Sequence, residues 1–256
     1  MTYTIGVDVA YCNDVSPKGT GSVEGFKAMK AGGVEFAFIK VSQGNTIFDV
    51  NFLDHWAGAK EAGLLRGAYH VYSPYVKYAL QAEWIKKNYP GDGELPFVLD
   101  VEIDGTYSND YLIGEINGLL EMLKSAFKRV IIYTGAWWWN QNMTPTKAWM
   151  STYDYWLASY PYTAGETVIT WEQLKLKLPT TTWVKPVTGG REALFWQWSG
   201  DKYTLPGVAG KLDVDLFKGS RNDLLVWAGL EPEQELTLEQ RVAKLEATAR
   251  QYGWNL

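Results

Sequence analysis

"NFLDHWAGAKEAGLLRGAYHVY", residues 51–72, is the stretch on which the reading of the fold turns. It opens on Asn51, a residue type that caps helices by accepting first-turn N–H groups, reads as a helix over 51–62, and stops at Gly63. "LRGAYHVY" (65–72) follows at once, rich in β-forming residues. A helix feeds directly into a strand, and repetition of that unit builds a parallel sheet.

Outward from this unit the alternation recurs. Strand-type runs are "TIGVDVA" (4–10), "VEFAFIKV" (34–41), "LRGAYHVY" itself, "LPFVLDVE" (95–102), "RVIIYTG" (129–135), "YWLASY" (155–160), "LFWQWS" (194–199) and "LDVDLF" (212–217). The gaps between the first five read as helices. Residues 23–31 are short and Gly-interrupted, and 76–88 carry Val76, Leu80 and Trp84 at four-residue spacing. Leu112, Ile116, Leu119, Leu123 and Phe127 mark one face of a long helix. The alternation predicts parallel strands with right-handed crossovers, and eight strands predict closure into a TIM-like α/β barrel.

Two segments depart from the pattern. Residues 161–193 show no amphipathic helix and are long for a connection, as functional or mobile loops often are. From Gly229 the chain turns polar and then helical, dividing it into 1–228 and 229–256. Leu238, Val242, Leu245, Ala249 and Tyr252 form an a/d stripe about two heptads long, with a Thr237–Gln240 capping box. Such a helix either packs back on the barrel or serves as a small homo-oligomerisation or docking segment.

Composition narrows the function. With 46% hydrophobic and 21% charged residues the chain is ordinary for a globular protein, but 13 Trp and 16 Tyr are many. Most rings belong to the core, and the excess suggests exposed ones that stack on a ligand. A net charge of −5 argues against nucleic acid as partner, and no apolar run is long enough to span a membrane. "MTYTIGVDVA" enters a strand with no signal-peptide pattern, so the expected product is cytoplasmic when made. One cysteine, Cys12, excludes an internal disulfide, and His55 and His70 without HExxH or CxxC disfavour a zinc site; no metal or cofactor is expected.

The chemistry is concentrated in "LPFVLDVEID" (95–104), where a buried-looking strand ends in two carboxylates. Alternation puts Asp100 and Glu102 on one face with Cα atoms about 7 Å apart. In a parallel barrel functional groups gather at the carboxyl ends of strands. Asp8 lies late in the first strand and Asp213 and Asp215 in the last, and closure makes those strands neighbours. The result is an acidic bowl in aromatic surroundings. Glycoside hydrolysis requires such a set, one carboxyl staying protonated to donate and another staying ionised. A single strand-end acid would more simply cap a helix or face solvent; three acidic strand ends together are harder to dismiss.

Other chemistries fit less well. "GTGSVEG" (19–25) lacks GxGxxG spacing and a preceding strand, and there is no GxSxG elbow. Cys12 paired with His70 is a weaker reading than a small buried thiol, and "NMT" (142–144) is a chance sequon.

"GVDVA", "FAFIKVSQG", "FLDHWAGAKEAGLLRGAYHVY", "LPFVLDVE", "VIIYTG", "YWLASY", "FWQWSG" and "LDVDLFKGS" occur in an order that resembles the glycoside hydrolase family 25 lysozymes. These are the Chalaropsis-type N-acetylmuramidases of phage endolysins and bacterial autolysins, and the resemblance covers about residues 4 to 220. It implies a barrel of five regular βα units with three further strands, and cleavage of the β-1,4 bond from N-acetylmuramic acid to N-acetylglucosamine in cell-wall peptidoglycan. By position it makes Glu102 the general acid and Asp100 its partner, with Asp8 and Asp213 completing the acidic set. Tyr69, Tyr133, Trp156, Tyr160 and Gln197 fall in blocks that line the family's cleft, and a ring of "AWWWN" (136–140) could stack on a sugar. Gln43 stands where many members have Glu, and Asp215 where Asn is common. No cell-wall-binding repeat follows the barrel. The expected protein is a phage- or prophage-encoded muramidase that reaches the wall after release, by a holin or in a phage particle. A non-catalytic peptidoglycan-binding module, a structural component of a phage particle and a hydrolase of chitin-like polymers are the other readings.

Overall fold

Every strand-type run forms a strand in the computed structural model, which describes residues 1–13, 15, 22–161, 171–203, 205, 208, 210–233 and 238–251. The strands are β1 (Thr4–Val9), β2 (Val34–Gln43), β3 (Ile47–Phe48), β4 (Leu65–Val71), β5 (Phe97–Asp100), β6 (Val130–Gly135), β7 (Tyr155–Ala158), β8 (Phe195–Tyr203) and β9 (Leu212–Phe217). The helices are α1 (Ser22–Ala31), α2 (Phe52–Glu61), α3 (Tyr78–Asn88), α4 (Asn109–Lys124), α5 (Ala136–Asn142), α6 (Trp171–Lys177), α7 (Arg221–Ala228) and α8 (Leu238–Gln251). The sheet runs β1-β9-β8-β7-β6-β5-β4-β2, closes through β1–β2, and carries the two-residue β3 as an appendage on β2. This is the expected closed eight-stranded barrel with helices around it.

The expectation of parallel strands fails at one place. β1, β2 and β4 to β8 pair in parallel, but β9 is antiparallel to both β8 and β1. The segment 204–211 between β8 and β9 is shorter than the roughly dozen residues a parallel crossover needs, so the chain doubles back as a hairpin. The reversal positions the site, because it brings the start of β9, and with it Asp213, to the mouth where the other strands end. Asp8 and Asp213 are direct cross-strand partners.

Helix faces follow the sequence in α4 and depart from it in α3. Leu112, Ile116, Leu119 and Leu123 are buried as their spacing requires, and the Ser108 side chain accepts from the Tyr111 N–H at the helix start. In α3 the buried residues are Gln81, Ala82 and Ile85, while Leu80 is exposed. Gln81 lies inside because its amide bonds the backbone of Ser73 and Val76, a role hydropathy does not register. Asn51 precedes α2 without a side-chain cap; its amide donates to the Tyr11 carbonyl instead. Within 161–193, where no helix was expected, α6 buries Trp171 against Gly32 with an Nε1–O distance of 2.8 Å. α8 exists with Val242 exposed, while Thr237 and Tyr252 lie outside the described residues.

The barrel is filled rather than hollow. Phe36, Phe38, Trp156, Phe195 and Phe217 pack inside it, with Phe38 stacked on Trp156 at 4.6 Å between centroids. Each fully buried ring contributes about 1.5–3 kcal/mol. Two glycines make the room. A Cβ on Gly6 would lie 2.2 Å from the Phe36 ring, and one on Gly67 2.5 Å from Phe38. This aromatic plug is the floor of the cleft above it. Among the described residues no helix is long and apolar enough to cross a membrane.

Candidate active site

The site starts where β5 runs out. Asp100 is its last residue, in register with Val71 of β4 and Tyr133 of β6. The chain stays extended for two more residues because Val101 donates to the Tyr133 carbonyl at 2.9 Å and accepts from Thr134 Oγ1 at 2.7 Å. Glu102 therefore shares the Asp100 side. Asp100 is buried, while Glu102 reaches solvent in the cleft.

A cavity of about 240 Å³ lies above the plug, lined by Asp8, Tyr69, Asp100, Glu102, Tyr133, Trp137, Trp156, Tyr160, Gln197 and Asp213. All nine residues singled out in the sequence meet there. Trp137 is the addition. Its neighbours Trp138 and Trp139 are buried in the outer core, but Trp137 is 58% exposed and leans towards Tyr160. A larger cavity of about 440 Å³ at the opposite mouth is lined by Lys86, Glu94, Lys128 and Arg129 among others. It lacks a paired set of acids, so size does not identify the site here.

Gln197 ties the bowl together. Its carbonyl accepts from Tyr133 Oη at 2.7 Å and Tyr160 Oη at 2.6 Å. Its amide nitrogen donates to Asp8 at 2.7 Å and Asp213 at 3.2 Å. Both donors and both lone pairs are engaged, which fixes the amide's orientation and holds two acids side by side. Trp156 is likewise buried, and its Nε1 donates to Asp215 at 2.8 Å.

Burial dominates the electrostatics. It raises Asp8 well above the usual carboxylate range, with the charges of Asp213 and Asp215 adding to the effect. Asp100 is raised well above by burial and then by Glu102. Glu102, although it touches solvent, is raised by the protein around it, against the opposing pull of Lys40 and the nearby Tyr133 hydroxyl. Lys40, on β2, is a nearby charge the sequence reading did not weigh. Its Nζ donates to Gln43 Oε1 at 3.0 Å and its charge bears on Asp100 and Glu102. The one available signal was a lysine inside the apolar run "FAFIKV".

The weaker candidates sort by burial. His70 is buried between Ser42 Oγ and Gln81 Oε1, and loss of hydration pushes its pKa down to about 3, so it is a neutral structural residue. Cys12 is exposed, not buried, because it follows β1 on a turn at the barrel rim.

Comparison with known proteins finds relatives of the barrel. The profile of the Glycosyl hydrolases family 25 matches residues 13–208, a span that stops short of Asp8 and Asp213 at either end. The uncharacterized protein YegX of Escherichia coli K12 is 32% identical over 193 residues, which are 75% of this chain and 62% of YegX; the chain thus spans less than two thirds of that relative's length. Lysozyme M1 of Streptomyces globisporus is 29% identical over 235 residues, 87% of this chain and 70% of its own. The crystal structure of a bacterial lysozyme from Streptomyces coelicolor superposes with a TM-score of 0.70 at 27% identity, covering 89% of this chain and 98% of that one.

Proposed function

The chain belongs to the Glycosyl hydrolases family 25, and from that premise we propose that it is a muramidase, hydrolysing the β-1,4 bond between N-acetylmuramic acid and N-acetylglucosamine in peptidoglycan. The observation that carries the proposal is the acid pair at the end of β5: Glu102 open to the cleft and raised in pKa, with Asp100 buried beside it. Glu102 is the general acid. Its raised pKa keeps a proton available for the leaving oxygen at higher pH than an ordinary carboxylate allows. Asp100 orients the 2-acetamido group of the sugar on the non-leaving side, whose oxygen attacks the anomeric carbon as the protonated leaving oxygen departs; water, giving its proton to Glu102, then opens the cyclic intermediate. Lys40 opposes the rise of both carboxyls. Gln197 and Trp156, whose polar atoms bond the acids, serve the sugar indirectly by holding the bowl's shape, while Tyr160 and Trp137 present accessible rings.

Digestion of purified peptidoglycan by the wild type and by Glu102→Gln, with mass spectrometry of borohydride-reduced products, tests the reading. Reduced muramic-acid ends from the wild type and none from the variant are expected. No new reducing ends on several wall types would favour a glycan-binding module instead. The C-terminal helix α8, with Val242 exposed, is where copies of the chain would associate, and light scattering with and without residues 230–256 checks it.

A further inference from the structure

We propose that Asp215 is a positioning residue that shares one proton with Asp8 and thereby sets the charge of the β1–β9 side of the bowl. The inference rests on the muramidase reading for its kinetic consequence, but not for its geometry.

Asp215 is wholly buried in the middle of β9, in register with Gly6 of β1 and Gln197 of β8. Its Oδ1 accepts from Trp156 Nε1 at 2.8 Å, and its Oδ2 meets no donor among the described residues. An ionised carboxylate with one oxygen unsolvated in a closed interior is costly. Asp8 lies diagonally across the same strand pair, two residues on from the Gly6 that faces Asp215, and the Asp215 charge bears on it. Two carboxylates held this close in a buried site repel, and a proton between them relieves the repulsion. Gly6, two residues before Asp8 on the same face, presents no side chain opposite Asp215.

The surrounding groups favour the proton. Asp213 on β9 acts on both acids, and Asp100 at the end of β5 acts on Asp8. Tyr69, Tyr133 and Tyr160 stand around the bowl as neutral hydroxyls, since burial raises all three. Gln197 donates to Asp8 but brings no charge. Lys40 bears on the other side, at Asp100 and Glu102. Two close buried carboxyls then titrate as one unit in two steps, the first proton leaving easily and the second late. While the shared proton is held, Asp8 and Asp215 together carry one negative charge, hydrogen-bonded to Gln197 and Trp156, and Asp8 stays fixed against the amide that also orients Asp213.

The discriminating variant is Asp215→Asn, whose carbonyl can still accept from Trp156 while the charge and the shared proton are gone. Asp8 then titrates once, between the pair's easy first step and its late second one, so the acidic limb of kcat/KM should move up, with activity at acid pH falling by about tenfold for each unit of displacement. Asp215→Ala, which also removes the Trp156 acceptor, should move the limb in the same direction. A limb moved by Asp215→Ala alone, with Asp215→Asn like the wild type, would reduce Asp215 to an anchor for Trp156 and overturn the proposal. Carboxyl ¹³C NMR of the wild type gives a reading free of activity and of variant folding. Asp8 and Asp215 should show linked two-step titrations; independent single midpoints would overturn the shared proton. If the wild type releases no muramic-acid ends the muramidase reading fails, yet the NMR result still decides the proton.

Discussion

The two mouths of the barrel treat buried charge in opposite ways. At the amino-terminal mouth Arg66, near the start of β4, is 1% exposed with every guanidinium nitrogen hydrogen-bonded. Its guanidinium bonds Glu94 through Nε at 2.9 Å and Nη2 at 2.8 Å, reaches the Asp92 and Trp56 carbonyls, and lies 4.3 Å above the Trp56 ring. At the carboxyl-terminal mouth Asp100 and Asp215 are as deeply buried, yet each keeps an oxygen without a hydrogen-bond donor among the described residues. The first arrangement pairs every guanidinium nitrogen and serves the fold. The second holds like charges together with incomplete compensation, a strain that a functional site can use and a structural one has no reason to retain.

Substitution separates the two. Glu102→Gln should lower kcat roughly 10³-fold while leaving the unfolding midpoint unchanged or slightly higher, since it removes a carboxyl that burial disfavours in its charged form. Assay of reducing ends beside thermal unfolding checks both halves, and a large stability loss would break the contrast. Arg66→Met should do the reverse, costing about 3 kcal/mol by stranding Glu94, with kcat per folded molecule retained. The figure sits at the low end of such losses because Glu94 keeps some solvent contact, its side chain being 29% exposed. Urea unfolding measures it.

That contrast was only half legible in the residues. The strands could be read because apolar runs bounded by turn residues are a local signal, and Asp8, Asp100, Glu102 and Asp213 could be placed because strand ends follow once strands are known. The direction of β9 could not, as it depends on what the segment 204–211 is too short to do. Gln81 was hidden by its polarity and Lys40 by its apolar neighbours. Trp137 could not be told from Trp138 and Trp139, because three identical residues carry no internal contrast and only the start of α5 decides which ring turns outward. The Arg66–Glu94 pair joins residues far apart in sequence and left no pattern at all.

pH sharpens the comparison further. Asp8, Asp100 and Asp215 have folded pKa values above the unfolded value of about 3.9. The native state therefore binds their protons more tightly, and the stability they contribute is present at acid pH and lost as pH rises through the folded pKa values. Asp100→Asn should flatten that decline, with a slope change of at most about 1.4 kcal/mol per pH unit. Unfolding free energies of both proteins from pH 4 to 8 decide it; parallel curves would mean that Asp100 is not held protonated.

The smallest effect expected is at the rim. Trp137 is exposed, so Trp137→Ala removes little packing and should hardly change stability. If its ring supports a sugar beside Tyr160, the loss is about 1 kcal/mol of apolar contact, some fivefold in KM for glycan fragments with kcat kept. Leu230 is the control. It lies on the larger cavity at the other mouth and is also partly exposed, so Leu230→Ala should leave KM as it is. Equal changes in KM for the two variants would mean that substrate contact is not confined to the acidic mouth, and the distinction between a binding end and a structural end would need redrawing around the larger cavity.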